Sequence, residues 1–267
     1  MSARPSFALV ALLTLSSAVL AAPPAAQDPP KAGDAKPAPT GPSPANGLKE
    51  VDAALAARRT PKEADRDAAD DRLTKAVDGL TADFAKYDDK GKKEVVDGLA
   101  KIFVVRTDEN NDAIYTVAAA ALSEMGADGE AVLMRAYKLK HIEKKPGARA
   151  DIVESLGKHK NPKNIEFFTK LLNESDTKVV IAAVKSLGEF KDADAKTRKD
   201  VAEALVKQYA NANNLDAKEK GKNAVFHQRL LDIEQPMNDA LGALTLQSFT
   251  DSAAWEKWFN DNRNKKW

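Results

Sequence analysis

The stretch "DTKVVIAAVKSLGEFKD", residues 176 to 192, decides the fold. Val180, Ala183, Val184 and Leu187 fall at helical spacing and make one apolar face, Asp176 stands where a helix opens, and Gly188 follows the last apolar residue. Two earlier segments repeat this pattern. Leu156-Gly157 lies 31 residues before Leu187-Gly188, and Met125-Gly126 lies 31 before that. Leu122, Val153 and Val184 keep the same period, as do Ala121, Ile152 and Ala183. After each glycine comes a polar turn and then a second apolar helix: "EAVLMRAYKL", "KNIEFFTKLL" and "KDVAEALVKQY". Three helix-turn-helix units in register imply a repeat architecture, because each amphipathic pair buries its apolar face only by stacking on the next.

The glycines are expected to stop each helix by taking the left-handed conformation, which has no Cβ penalty for glycine. In the middle unit Asn161-Pro162 supplies a cap and a first-turn proline. Upstream, Thr60-Pro61-Lys62-Glu63 reads as another start signal. The helix after it carries Leu73, Ala76, Val77, Leu80 and Phe84 on one stripe. Further apolar faces run from about residue 92 to 106 and from about 111 to 125. "IFVV", residues 102 to 105, is ambiguous between helix and strand. Gly79 and Gly98 stand off the register. Past Gly188 the next Leu-Gly, at 241 and 242, comes 54 residues later, and "NANNLDAKEKGKN", residues 211 to 223, reads as an inserted loop. Pro236 starts or kinks the helix that follows it.

These units resemble the HEAT family, in particular its short HEAT-like variety with units near 30 residues; residues 176 to 192 look like a second-helix signature of that family. The resemblance runs clearly over residues 112 to 210 and more faintly over 47 to 111. It implies an all-α, right-handed superhelical solenoid of stacked antiparallel helix pairs, HEAT-like or armadillo-type, with about five pairs and a protein partner on the concave face. The end of the chain is similar to the tail of exported bacterial HEAT-repeat proteins: Leu244-Thr245, then Phe249, then Trp255 and Trp258 three apart. Where such tails place a glycine after the threonine, this chain has Leu246.

The N-terminus reads differently. Arg4 precedes the apolar run 7 to 22, which ends in small residues and is too short for a bilayer span, the pattern of a secretory signal peptide. Cleavage is expected after Ala21, with Ala22 disfavoured by Pro23. Residues 22 to 46 hold eight of the 13 prolines and read as a disordered Pro/Ala-rich linker, leaving 47 to 267 as the solenoid with a capping helix. Loss of residues 1 to 21 removes Arg4 and takes the net charge from +1 to 0, with both signs interspersed. That balance points away from nucleic acid. Past the signal nothing reads as an integral span, and the expected location is secreted, periplasmic or cell-envelope. With no cysteine, the fold rests on burial alone.

No catalytic motif stands out: there is no Gly-x-Ser-x-Gly elbow and no phosphate-cradling glycine loop. His141, His159 and His227 have no ligand spacing, so no metal and no cofactor is expected. Trp255, Trp258 and Phe259 share a face of the last helix, either as a partner patch or as a cap over the solenoid's open end. Lys158, Lys160, Lys163, Lys191 and Lys196 fall at successive turns and form either a basic edge or a solvated face. The reading is a non-catalytic protein-binding scaffold. A lyase-type or small-ligand-binding HEAT-like protein and an envelope structural protein are the alternatives.

Overall fold

Aspartate and asparagine side chains start many of the helices. In a computed structural model describing residues 42–59, 62–107, 112–219 and 222–267, all within the unit Pro39–Trp267, the elements are helical throughout and no strand occurs among the described residues. Five pairs follow one another. They are α1 (Ala45–Ala57) with α2 (Glu63–Asp83); α3 (Asp89–Ala100) with α4 (Ala113–Leu122); α5 (Gly126–Tyr137), then the single turn α6 (Lys140–Glu143), with α7 (Pro146–Lys158); α8 (Ile165–Leu171) with α9 (Thr177–Gly188); and α10 (Ala195–Lys218) with α11 (Ala224–Thr245). A last helix, α12 (Ser252–Asn262), packs on α10.

The caps explain these boundaries. Asp88, Asp176, Asp194, Asn223 and Asp251 each accept from a backbone N–H in the first turn, at 2.7 Å from Gly91, 2.9 Å from Lys178, 3.0 Å from Thr197, 3.1 Å from Val225 and 2.8 Å from Ala254. Asn161 does the same for Lys163 at 3.1 Å, ahead of Pro162. "IFVV" resolves as the 3-10 turn Lys101–Val104, which ends α3's apolar face with Ile102 and Phe103 buried.

The second helices α2, α4, α7, α9 and α11 form one row, each touching the next, while the first helices form the other. Between the rows runs one continuous apolar core from Val51 to Phe259, including Leu99, Leu122, Val153, Leu187, Leu205 and Leu241. This is an all-α helical-repeat solenoid.

Three details differ from the sequence expectations. Gly157 lies inside α7, and Gly188 ends α9 with φ −62; among the described glycines only Gly126 has a positive φ, +60. At Gly157 and Gly188 the glycine instead answers contact between helices, whereas a Cβ on Gly126, at the start of α5, would meet nothing within 4 Å. A Cβ on Gly157 would lie 2.6 Å from Ser186 Oγ and 2.8 Å from Ser186 Cα, and one on Gly188 would lie 3.2 Å from Ala240 Cα. α7 meets α9, and α9 meets α11, backbone to backbone at these points. Second, residues 211 to 218 are not a loop but the end of the 24-residue α10, held by buried Tyr209 and Ala212 against its neighbours. Third, of the two roles open to Pro236, starting a helix is the one overturned: the proline stands in the middle of α11, where it cannot donate to residue 232. The expected signal peptide, cleavage at Ala21 or Ala22, the linker up to residue 41, and the Thr60-Pro61 cap lie outside the described residues; α1 begins at Ala45 and α2 at Glu63.

Candidate interaction surface

Polar contacts tie the solvent face of the second row together. Thr116 on α4 donates to the Asp151 carboxylate on α7, whose pKa is pushed up by burial. Lys185 Nζ on α9 lies 2.7 Å from Glu154 Oε1 on α7. Beyond that pair, α7, α9 and α11 enclose an open cleft of about 400 Å³. Its floor is small: Ser186, Gly188, Ala240 and Ala243, with Pro236 at the side. Ser186 is buried, its Oγ 2.9 Å from Val153 O and 2.8 Å from Ala182 O, so the hydroxyl turns into the joint and leaves the floor largely apolar. The rim carries both signs, Lys158, Lys185 and Lys191 facing Glu154, Glu189 and Asp239.

Of the five lysines expected along one edge, Lys158 and Lys191 line this cleft and have no acidic partner among the described residues. Lys160, itself at φ +49, lies 3.6 Å from both Glu189 and Asp192. Lys163 sits in the 3-10 turn Pro162–Asn164 and Lys196 in the first turn of α10; neither lines the cleft. Next to Lys158, burial lowers the pKa of half-buried His159, whose Nε2 has no hydrogen-bond partner among the described residues.

The tryptophans face inward. Trp255 is 0% exposed and donates from Nε1 to Asn238 Oδ1 at 2.8 Å. Its ring meets Phe249 edge-on at 4.9 Å and Trp258 at 6.4 Å, while Trp267 packs on Trp258 at 5.4 Å and on Phe259 at 5.8 Å. Phe259 is buried and Trp258 partly so. The aromatic group closes the end of the α10–α11 pair. Beside it, burial pushes the Tyr209 phenol up to about 12.

Sequence reasoning missed the α11 wall of the cleft, because residues 235 to 243 fall outside the 31-residue register. The small residues Ala240, Gly242 and Ala243 on one helix were the available signal for close approach. No group of His, Asp and Glu among the described residues is placed to hold a metal, and none of their helices is long and apolar enough to cross a membrane.

The family model for HEAT repeats matches residues 138–220, from the start of α6 through α10. Over that segment the helix pairs are similar to HEAT repeats. The match takes in the Gly157 and Gly188 joints and leaves α11 and the tryptophan cap outside it. No curated protein matches the chain. Among solved structures, the chain is similar to the crystal structure of an engineered protein at 14% identity, over 74% of this chain and 99% of that one, with a TM-score of 0.29, too low to carry an argument.

Proposed function

We propose that the chain is an exported, non-catalytic bacterial scaffold that binds a protein partner through the second-row face of its HEAT-like repeats. The cleft between α7, α9 and α11 carries this reading. Its floor of Gly188, Ala240 and Ala243 leaves room for one protruding apolar side chain, and its rim offers cations and carboxylates to the polar groups around that side chain. A small apolar floor inside a polar rim, open until a partner side chain desolvates it, is a form suited to an interface hot spot. The HEAT-repeat match supports a protein-binding role. Export is supported by the signal-like run 7 to 22 and its small-residue end.

The test uses the mature chain as bait on the exported fraction of its source cells, beside Ala243→Trp, which fills the cleft from a half-exposed position. The wild type should recover a protein in stoichiometric amount. The variant should lose it by about tenfold or more, the effect of removing ~1.4 kcal/mol of binding, with an unchanged circular dichroism spectrum. Recovery of nothing stoichiometric, or equal recovery by both, overturns the docking assignment. Retention of the uncleaved protein in the cytoplasm would overturn export.

A further inference from the structure

The segment "NANN", residues 211 to 214, puts three asparagines into the last third of the 24-residue α10, where asparagine is among the weaker helix formers. No side-chain hydrogen bond among the described residues accounts for Asn211 or Asn214; both are exposed and unpartnered there. They instead line an open cleft of about 490 Å³ between α10, α11 and the turn joining α8 to α9, together with Gln208 and Asn173. Gln208 donates from Nε2 to Leu172 O at 2.6 Å, leaving its oxygen facing no donor among the described residues; the Asn173 amide is also unpartnered there. Phe226 and the exposed Leu215 supply apolar surface, and no carboxylate among the described residues lines the space.

We infer that this cleft is a binding site for a short oligosaccharide. Each amide offers a donor and an acceptor on one short side chain, which matches paired hydroxyls. At about 100° per residue, Gln208, Asn211 and Asn214 lie within about 120° of one side of α10, and with Asn173 from the α8–α9 turn all four line the same volume. A polyol presents hydroxyls in several directions and so suits amides that fan round one side of a helix. The volume lies in the range of small-ligand sites, and Phe226 with Leu215 can take the C–H face of a sugar ring. Arg229 is turned away to the carbonyls of Glu174 at 2.7 Å and Ser175 at 3.1 Å, leaving Lys218 as the free cation among the described residues of the rim, so the site takes neutral or acidic sugars.

The site is separate from the docking cleft and its test is independent. Chitotriose, cellotriose and a glucuronate-containing disaccharide are titrated into the ¹⁵N-labelled mature chain, following the side-chain NH₂ resonances. At least one sugar should shift those of Gln208, Asn211 and Asn214 at millimolar concentration or below. The double substitution Asn211→Ala and Asn214→Ala should weaken that binding by about tenfold or more and at the same time raise Tm, since alanine is the better helix former. Together these outcomes separate lost recognition from lost folding. Silence of those resonances with all three sugars, unchanged affinity in the variant, a lowered Tm, or an equal response to a neutral Ala-Ser hexapeptide would each overturn the assignment.

Discussion

The α7–α9 joint and the α12 end of the chain solve the same problem with opposite materials. At the joint, Gly157 meets Ser186 so closely that even one carbon has no room, and burial is shared among the residues around that contact. At the end no further helix arrives, and the exposed apolar edge is covered by ring area: Trp255, Trp258, Phe259, Phe249 and Trp267 in mutual contact. A repeated unit thus stacks by removing side-chain volume, whereas a terminus must add it. The chain's three tryptophans all lie in the cap, so their fluorescence reports the end and circular dichroism reports the array.

The largest effect should come from breaking the cap. Trp255→Ala removes a fully buried ring and leaves Asn238 Oδ1 without its donor, costing about 4 kcal/mol. Tryptophan emission from Trp258 and Trp267 should shift to the red at lower denaturant than the far-ultraviolet transition. Coincident transitions would show that the cap and the array are one cooperative unit. Breaking the joint comes next. Gly157→Ala forces the backbones of α7 and α9 apart and should cost about 2–3 kcal/mol by overpacking. Adding Ser186→Gly removes two of the three close atoms and should recover part of the loss; the backbone of residue 186, 2.8 Å from the new methyl, still stands in its way. A double variant no more stable than the single would show that the Ser186 side chain is not what the new methyl strikes.

How much of this was legible in the sequence depends on how many residues each feature needs. A cap is a local event, so Asp176 and Asn161 announced their helices and the structure places their oxygens on the expected backbone N–H groups. The apolar stripes and the 31-residue period were likewise enough for helix pairs in two rows. A glycine near a helix end has two uses, stopping the helix or admitting a neighbour, and only the neighbour's position tells them apart; Gly157 and Gly188 serve the second. The polar run after Tyr209 has the propensity of a loop, but α11 packs along α10 and carries the helix through it. The docking cleft was illegible for a simpler reason: its walls come from residues as far apart as Glu154 and Ala243.

A smaller change sharpens the boundary between array and cap. Leu246 ends α11 in the left-handed conformation, φ 61 and ψ 26, with its N–H on Gly242 O at 2.8 Å and its side chain 82% exposed. A glycine at this position would carry no Cβ penalty in that conformation, whereas leucine does. Leu246→Gly should raise stability by about 0.5–1 kcal/mol, since relief of the left-handed strain exceeds glycine's added freedom when unfolded and little apolar burial is lost. Chemical denaturation followed by tryptophan emission would register it. A decrease would mean that the exposed leucine makes a stabilising contact after all.

The smallest effect is one of pH and acts on the joint alone. His159 closes α7 two residues after Gly157, and no histidine lies in residues 246 to 267. Burial holds its pKa below that of a free imidazole, with the charge of Glu130 opposing. The unfolded chain therefore takes up a proton near pH 6.5 while the folded chain still resists it. Its contribution is intact above that pH and is lost progressively as pH falls from there through the lower folded value. Between pH 7 and pH 5 the far-ultraviolet Tm of the wild type should fall more than that of His159→Gln, which cannot titrate. Because the cap has no comparable group, the tryptophan-detected transition should separate from the far-ultraviolet one in acid only for the wild type. An equal fall in both proteins would place the acid sensitivity among the carboxylates and leave the joint no softer than the cap.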